Sequence, residues 1–225
     1  MGLILNIDSS TDEASIALAS GASVIGHSEN GEQKTHASWL HVAIEKMMKN
    51  VGQEFSNLDA IAVTGGPGSY TGLRVGMAAA KGLCFALDIP LIVENTLYVM
   101  AFAARGQALN LGVDQVCPMI DARRMEVFVA VYSAQLTELL APAAMVLEKE
   151  SFDEFFRKGA ILFVGSGAKK WQDINSLEAA HFYEAVPLAS HLALIADIKF
   201  EKKEFADTRY TEPLYLKEFY THSKK

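Results

Sequence analysis

Two short segments bear groups that could hold a phosphate or another anion. One is Asp8-Ser9-Ser10-Thr11; the other is Gly65-Gly66-Pro67-Gly68-Ser69, which runs into Tyr70-Thr71-Gly72-Leu73-Arg74-Val75-Gly76. Glycines in a turn that opens a helix let backbone N–H groups point outward, and the helix N-terminus adds partial positive charge. Ser9, Ser10, Thr11, Gly66, Gly68 and Ser69 are therefore the candidate anion-binding residues. The second segment is not a Walker loop, because Leu73 follows Gly72 where that motif needs lysine. The same glycines also suit a tight strand-to-helix connection or a closely packed helix without a ligand, and spacing alone favours that structural use.

Asp8, Asp121 and Glu126 have the chemistry of an acidic cluster for two Mg²⁺ ions. The competing reading is that Asp8 caps local backbone and Asp121 to Glu126 stabilise a hairpin. We prefer it, because an acidic chain with no basic groove is a poor nuclease. His36 and His41 are five residues apart and so lie on different faces of a helix. They read as a capping or surface histidine and a solvent-facing one. Cys84 and Cys117 each sit in an apolar run without a second ligand nearby, which implies reduced, buried thiols.

The elements that must position these groups follow from periodicity. Leu3 to Ile7, Ala14 to Ala19 and Ser23 to Ser28 read as strands, with a hairpin turn at Ser20-Gly21-Ala22. A helix follows from about Ala37 to Asn50, then a strand from Leu58 to Val63, the glycine turn and its helix, a strand from Leu91 to Val93 and a helix from Thr96 to Ala104. Gly106 to Gly112 reads as a domain boundary. Beyond it, strands are expected at Val116 to Ile120, Glu126 to Tyr132, Ala144 to Leu147 and Ile161 to Val164. Short and long helices are expected at Phe152 to Phe156 and Ala189 to Phe200. The two units, residues 1–105 and 113–225, each begin with a strand ending in an aspartate.

Gly72, Gly76 and Ala80 recur every four residues along one helix face. Glycine inside a helix costs roughly 1 kcal/mol against alanine, so a neighbour at close range is implied, in this chain or in a partner. With 225 residues and 50% hydrophobic content, the chain has material for a sizeable core. Its apolar runs stop short of the roughly 18 residues that span a bilayer, and its start lacks a basic leader, so no signal, membrane segment or membrane partner is expected. The formal net charge is −7, and residues 199–225 are the exception with seven Lys/Arg against five Asp/Glu. Such a body is not the main contact to a nucleic acid.

Together, Asp8-Ser9-Ser10-Thr11, His36, the string from Gly66 to Gly76 and Asp121-Ala122-Arg123-Arg124-Met125-Glu126-Val127 resemble the bacterial TsaB (YeaZ) family. The resemblance is strongest through residue 130, and the Gly-Pro-Gly-Ser-aromatic-Thr-Gly-Leu-Arg string is its most specific part. It implies an α/β chain with the ASKHA (actin/Hsp70-like) fold of two ribonuclease-H-like sub-domains, the second smaller. It also implies a cytoplasmic, non-catalytic subunit for making N6-threonylcarbamoyladenosine beside the tRNA anticodon. The implied partners are the transferase TsaD and the ATPase TsaE, with a homodimer when alone and tRNA met only indirectly.

In that family the first two helices form the dimer surface, which assigns Trp39, Leu40, Ala43, Met47, Gly72, Arg74, Val75, Gly76, Ala79 and Ala80 to the partner interface. The related catalytic subunit holds its metal with a His-x-x-x-His pair after the strand corresponding to Leu91 to Val93. Here Glu94 to Met100 has no histidine, so no catalytic residue, metal or cofactor is expected, apart from a nucleotide between the subunits. The alternatives are an ASKHA-type phosphotransferase or ATPase, using the two segments above as phosphate loops, and a glycoprotease-like metallopeptidase.

Overall fold

A computed structural model describes residues 2–31 and 35–217. The end of the basic tail, residues 218–225, and Met1 of the expected leaderless start lie outside the described residues. The first five strands are β1 (Leu3–Asp8), β2 (Ala14–Ser20), β3 (Ser23–Asn30), β4 (Ala60–Thr64) and β5 (Leu91–Glu94). They form one sheet in the order β3-β2-β1-β4-β5, antiparallel as far as β1 and parallel beyond it. The next five are β6 (Gln115–Asp121), β7 (Glu126–Ser133), β8 (Glu138–Val146), β9 (Ile161–Val164) and β10 (Ala180–Tyr183). Their sheet runs β8-β7-β6-β9-β10 with the same mixture of directions. One ribonuclease-H-like topology is thus built twice, which is the expected ASKHA architecture.

Continuous apolar strands need cover on both faces. In the first sheet, Leu5, Ile7, Ile61 and Val63 point towards α1 (His36–Asn50) and α2 (Tyr70–Leu87), where Leu40, Ile44, Met47, Met77 and Ala80 meet them. The alternate residues Ile4, Ala60 and Ala62 point the other way, to Leu192, Ile195 and Ala196 of α6 (Ala189–Glu201). That helix follows the second sheet in sequence but packs on the first. Its entry is fixed by Ala189 N–H donating to Ser15 Oγ, and its end by a Lys199–Glu94 ion pair of 2.9 Å.

The boundary expected at Gly106 to Gly112 is instead the end of α3 (Thr96–Leu111), with Gly112 in the left-handed conformation as its C-cap. Asn95 caps the other end, its side chain accepting from Leu97 N–H and Tyr98 N–H. Leu97, Met100, Ala101, Ala104 and Ala108 of α3 join the core of the second sheet, so the helix that leaves the first unit is packed as part of the second. With α6 crossing in the opposite direction, the units 1–105 and 113–225 do not separate cleanly. β8 is longer than expected because an edge strand tolerates Pro142 and needs no strict alternation. The helix from Phe152 to Phe156 is α4 (Asp153–Phe156), while α5 (Ala168–Ile174) and β10 were not expected.

Candidate functional site

The glycine turn meets the end of β1, and each fills the other. Ser69 N–H donates to Ser10 O at 2.7 Å, and Ser9 Oγ donates to Gly72 O at 2.8 Å. A Cβ on Gly68 would collide with Ser10 O, one on Gly72 with Ser9 O and one on Gly76 with Ser9 Oγ. The glycines are therefore small because the Ser9–Ser10 backbone lies against them. This corrects the assignment of Gly72 and Gly76 to a partner's helix: the close neighbour is the chain's own first loop.

The same contacts use the groups expected to bind an anion. Ser10 Oγ donates to Asp8 Oδ1, Thr11 Oγ1 to Glu13 O, and Gly72 N–H to Ser69 Oγ. Leu73 N–H returns to Ser69 O, closing the first turn of α2. Gly66 O accepts from Thr96 N–H and Gly65 O from Leu214 N–H, so the far side of the turn is covered as well. Ser9, Ser10, Gly66, Gly68 and Ser69 thus form a joint between β1, α2 and the C-terminal segment, while Thr11 ties the loop that follows β1.

Asp8 caps local backbone: its Oδ1 accepts from Ser10 N–H, Ser10 Oγ and Thr64 Oγ1. Its Oδ2 is buried without a partner, and burial pushes the carboxyl up from 3.8 to about 6 despite those three donors. Asp121 holds its hairpin by accepting from Arg123 N–H. Partial burial opposes ionisation of Asp121, but the Lys170 ammonium at 2.7 Å and that N–H carry its carboxyl below the usual value. Glu126 pairs with Lys217, and its backbone oxygen takes a second bond from Lys170. Among the described residues, no three His, Cys, Asp or Glu side chains converge to hold a metal ion. His36 departs from expectation: it is buried, with Nε2 against Asp12 O, because the loop after β1 folds over the start of α1. His41 is exposed, and both cysteines are buried and free, as read from the sequence.

The outer faces of α1 and α2 form an apolar groove of about 410 Å³, lined by Ala37, His41, Val75, Ala78, Ala79, Gly82 and Leu83. Of the interface residues expected from sequence, Arg74 is exposed, Trp39 and Val75 are half-buried, and Ala79 floors this groove. Leu40, Gly72, Gly76 and Ala80 are buried against the chain's own sheet and loop. Ala43 and Met47 are buried too, at the base of a second hollow beside Trp39 and β3. The small-residue row first noticed is the inner face of α2. Ala78 and Gly82 form another, two positions on and so about 200° round the helix, and that row faces outward. Four-residue spacing from Ala78 through Gly82 to Ala86 was the signal for it.

Residues 29–200 match the family described as TsaD: tRNA N6-adenosine threonylcarbamoyltransferase. The chain is 28% identical over 221 residues to the tRNA threonylcarbamoyladenosine biosynthesis protein TsaB of Escherichia coli, covering 95% of this chain and 94% of that one. It is 34% identical over 119 residues to the tRNA N6-adenosine threonylcarbamoyltransferase of Anaplasma marginale, covering 47% of this chain and 35% of that one. The solved structure of YeaZ from Pseudomonas aeruginosa superposes with a TM-score of 0.81 at 27% identity, covering 96% of this chain and all of that one. Because the transferase match takes in most of the sequence while TsaB and YeaZ match it end to end, the chain belongs to the tRNA N6-adenosine threonylcarbamoyltransferase family, in its TsaB (YeaZ) branch.

Proposed function

We propose that this chain works in the threonylcarbamoyladenosine modification of tRNA, as a cytoplasmic subunit that binds and activates a TsaD-type transferase and performs no transfer itself. The observation that carries this reading is the apolar α1–α2 groove, whose exposed walls are Ala37, His41, Ala78 and Gly82, all but the histidine small enough to admit a helix backbone. The names of the full-length relatives supply the pathway. The half-length likeness to transferases supports a partner of related sequence, in which case two similar faces would meet. Alone, the chain would pair with itself through the same face.

The chemistry belongs to the partner under this reading, because the groups a phosphotransferase would need here are engaged internally. The glycine-turn donors Ser69 N–H and Leu73 N–H bond to the chain's own oxygens, and Asp121 and Glu126 are held by lysines. Glu94, in the segment corresponding to the transferase's metal-binding histidines, is paired with Lys199. Any nucleotide in the assembly then belongs to the junction of the subunits, with TsaE as the ATPase and tRNA held by the complex. The test is to mix this chain with the TsaD of its host, follow size-exclusion elution and measure threonylcarbamoyl transfer to tRNA. Transfer by this chain alone, or a mixture that elutes as two separate proteins, refutes the proposal.

A further inference from the structure

We infer that the partner surface does not end at the two helices but continues onto the C-terminal segment, residues 207–217, with Phe85 and Tyr210 as its aromatic anchors. This rests on the reading above that α1 and α2 receive a TsaD-type chain. After an antiparallel bridge between Ala206 and Leu91, the segment meets α2 at Lys81 and Tyr70. Lys81 fixes it there, its ammonium donating to Thr211 O at 2.9 Å and reaching Arg209 O at 3.5 Å, the two carbonyls on either side of Tyr210. Further along, Leu214 N–H donates to Gly65 O at 2.7 Å, and the Tyr215 ring lies against Tyr70 at 5.2 Å between centroids. Lys217 then reaches Glu126 of β7. The segment is thus pinned at four points along its length.

Pinned in this way, it presents Tyr210 outward. Phe85 is 90% exposed and Tyr210 80%, the two most exposed large hydrophobic side chains among the described residues. Phe85 stands one helical turn beyond Lys81, on the side of α2 next to the segment, and one turn beyond Gly82, which lines the groove. On α2, Phe85 thus follows both Gly82, which lines the groove, and Lys81, which holds the carbonyls flanking Tyr210, and large aromatics presented on a fixed backbone are the side chains that dominate association energies. Leaving two such rings in water beside an apolar groove has no advantage for an isolated chain. The occupant is the same TsaD-type partner, whose α1-like and α2-like helices fill the groove while its flank covers Phe85 and Tyr210. Lys81 acts as the positioning residue for Tyr210.

The test is a titration of the host's TsaD with the full chain and with Phe85→Ala, Tyr210→Ala, Lys81→Met and, in the groove, Ala78→Arg, each first shown to melt like the parent. Phe85→Ala and Tyr210→Ala are expected to weaken binding by about tenfold or more each. Lys81→Met should weaken it less and should add little when combined with Tyr210→Ala, since both act through the same ring. If Ala78→Arg abolishes binding while both aromatic truncations bind within twofold of the parent, the extension is overturned and the helix-pair reading stands. If Ala78→Arg also binds normally, the helix-pair reading itself fails. Loss of self-association in Tyr210→Ala with TsaD binding intact would mean that a second copy is the occupant, which overturns the proposal.

Discussion

Asp8 is a carboxyl whose place in the fold has a measurable cost. Its Oδ1 takes three donors, but its Oδ2 takes none, and the side chain is removed from water. Burial therefore raises the carboxyl from 3.8 to about 6. A raised carboxyl binds its proton more tightly in the native state than in the unfolded one, so native stability falls as pH rises through the window between those values. From the two values, the full cost of ionisation is about 3 kcal/mol, of which about 2 kcal/mol is incurred between pH 4.5 and pH 8. Asp8→Asn keeps an acceptor for Ser10 and Thr64 and does not titrate. Other acids titrate in both proteins and cancel. The stability of Asp8→Asn relative to the parent should thus move by about 2 kcal/mol in favour of the variant from pH 4.5 to pH 8, a relative shift in Tm of about 4–8 °C.

Urea unfolding of both proteins at the two pH values, followed by circular dichroism, measures this difference directly. The variant's unpaired amide lowers stability at both pH values and drops out of the comparison. An identical difference at the two pH values would falsify the account of Asp8 as a desolvated acid. A variant that loses ground as pH rises would show that the native carboxylate has a charged partner holding it.

Gly76→Ala should lose about 1–3 kcal/mol in urea unfolding, because the new Cβ meets Ser9 Oγ, and adding Ser9→Ala should recover part of it. A Gly76→Ala protein as stable as the parent would remove the steric reason for the glycine. Gly82→Ala, with nothing within 4 Å of its Cβ, should instead stabilise the isolated chain by up to about 1 kcal/mol while weakening partner binding, so tighter binding in calorimetry would count against the groove. Lys170→Met should raise the titration midpoint of Asp121 in carbon-detected NMR. Asp121 is depressed in the native state, so its stabilising effect is present above its unfolded value and lost as pH falls through the native one; an unmoved midpoint in the variant would show that Lys170 is not the cause.

Most of the architecture was legible in the residues because its signals are local. The alternation in Ala14 to Ala19, the 3.6-residue spacing of Leu40, Ile44 and Met47 and the glycine turn each name an element without reference to anything distant. The C-terminal half gave less. β10 is four residues long, and α5 is a seven-residue helix held by packing of Trp171 on Phe152 and Phe163, residues that lie outside the helix itself. The break expected at Gly106 failed for a similar reason: that glycine has open space around it, and the helix continues because its neighbours bury Ala101, Ala104 and Ala108.

The candidate site was less legible for a different reason. Sequence spacing correctly said that Gly72 and Gly76 have a close neighbour, but a row of small residues carries no label for what approaches it. The approach of Ser9 is a contact across more than sixty residues, and only the fold supplies it. With that row occupied from within, the proposed pairing uses the outward row of Ala78 and Gly82 instead. The identity of the pattern survives while its direction reverses. Under the pairing proposed above, the mutations that separate folding from association are therefore at Ala78, Gly82, Phe85 and Tyr210 rather than at Gly72 and Gly76, whose faces the chain's own Ser9 meets.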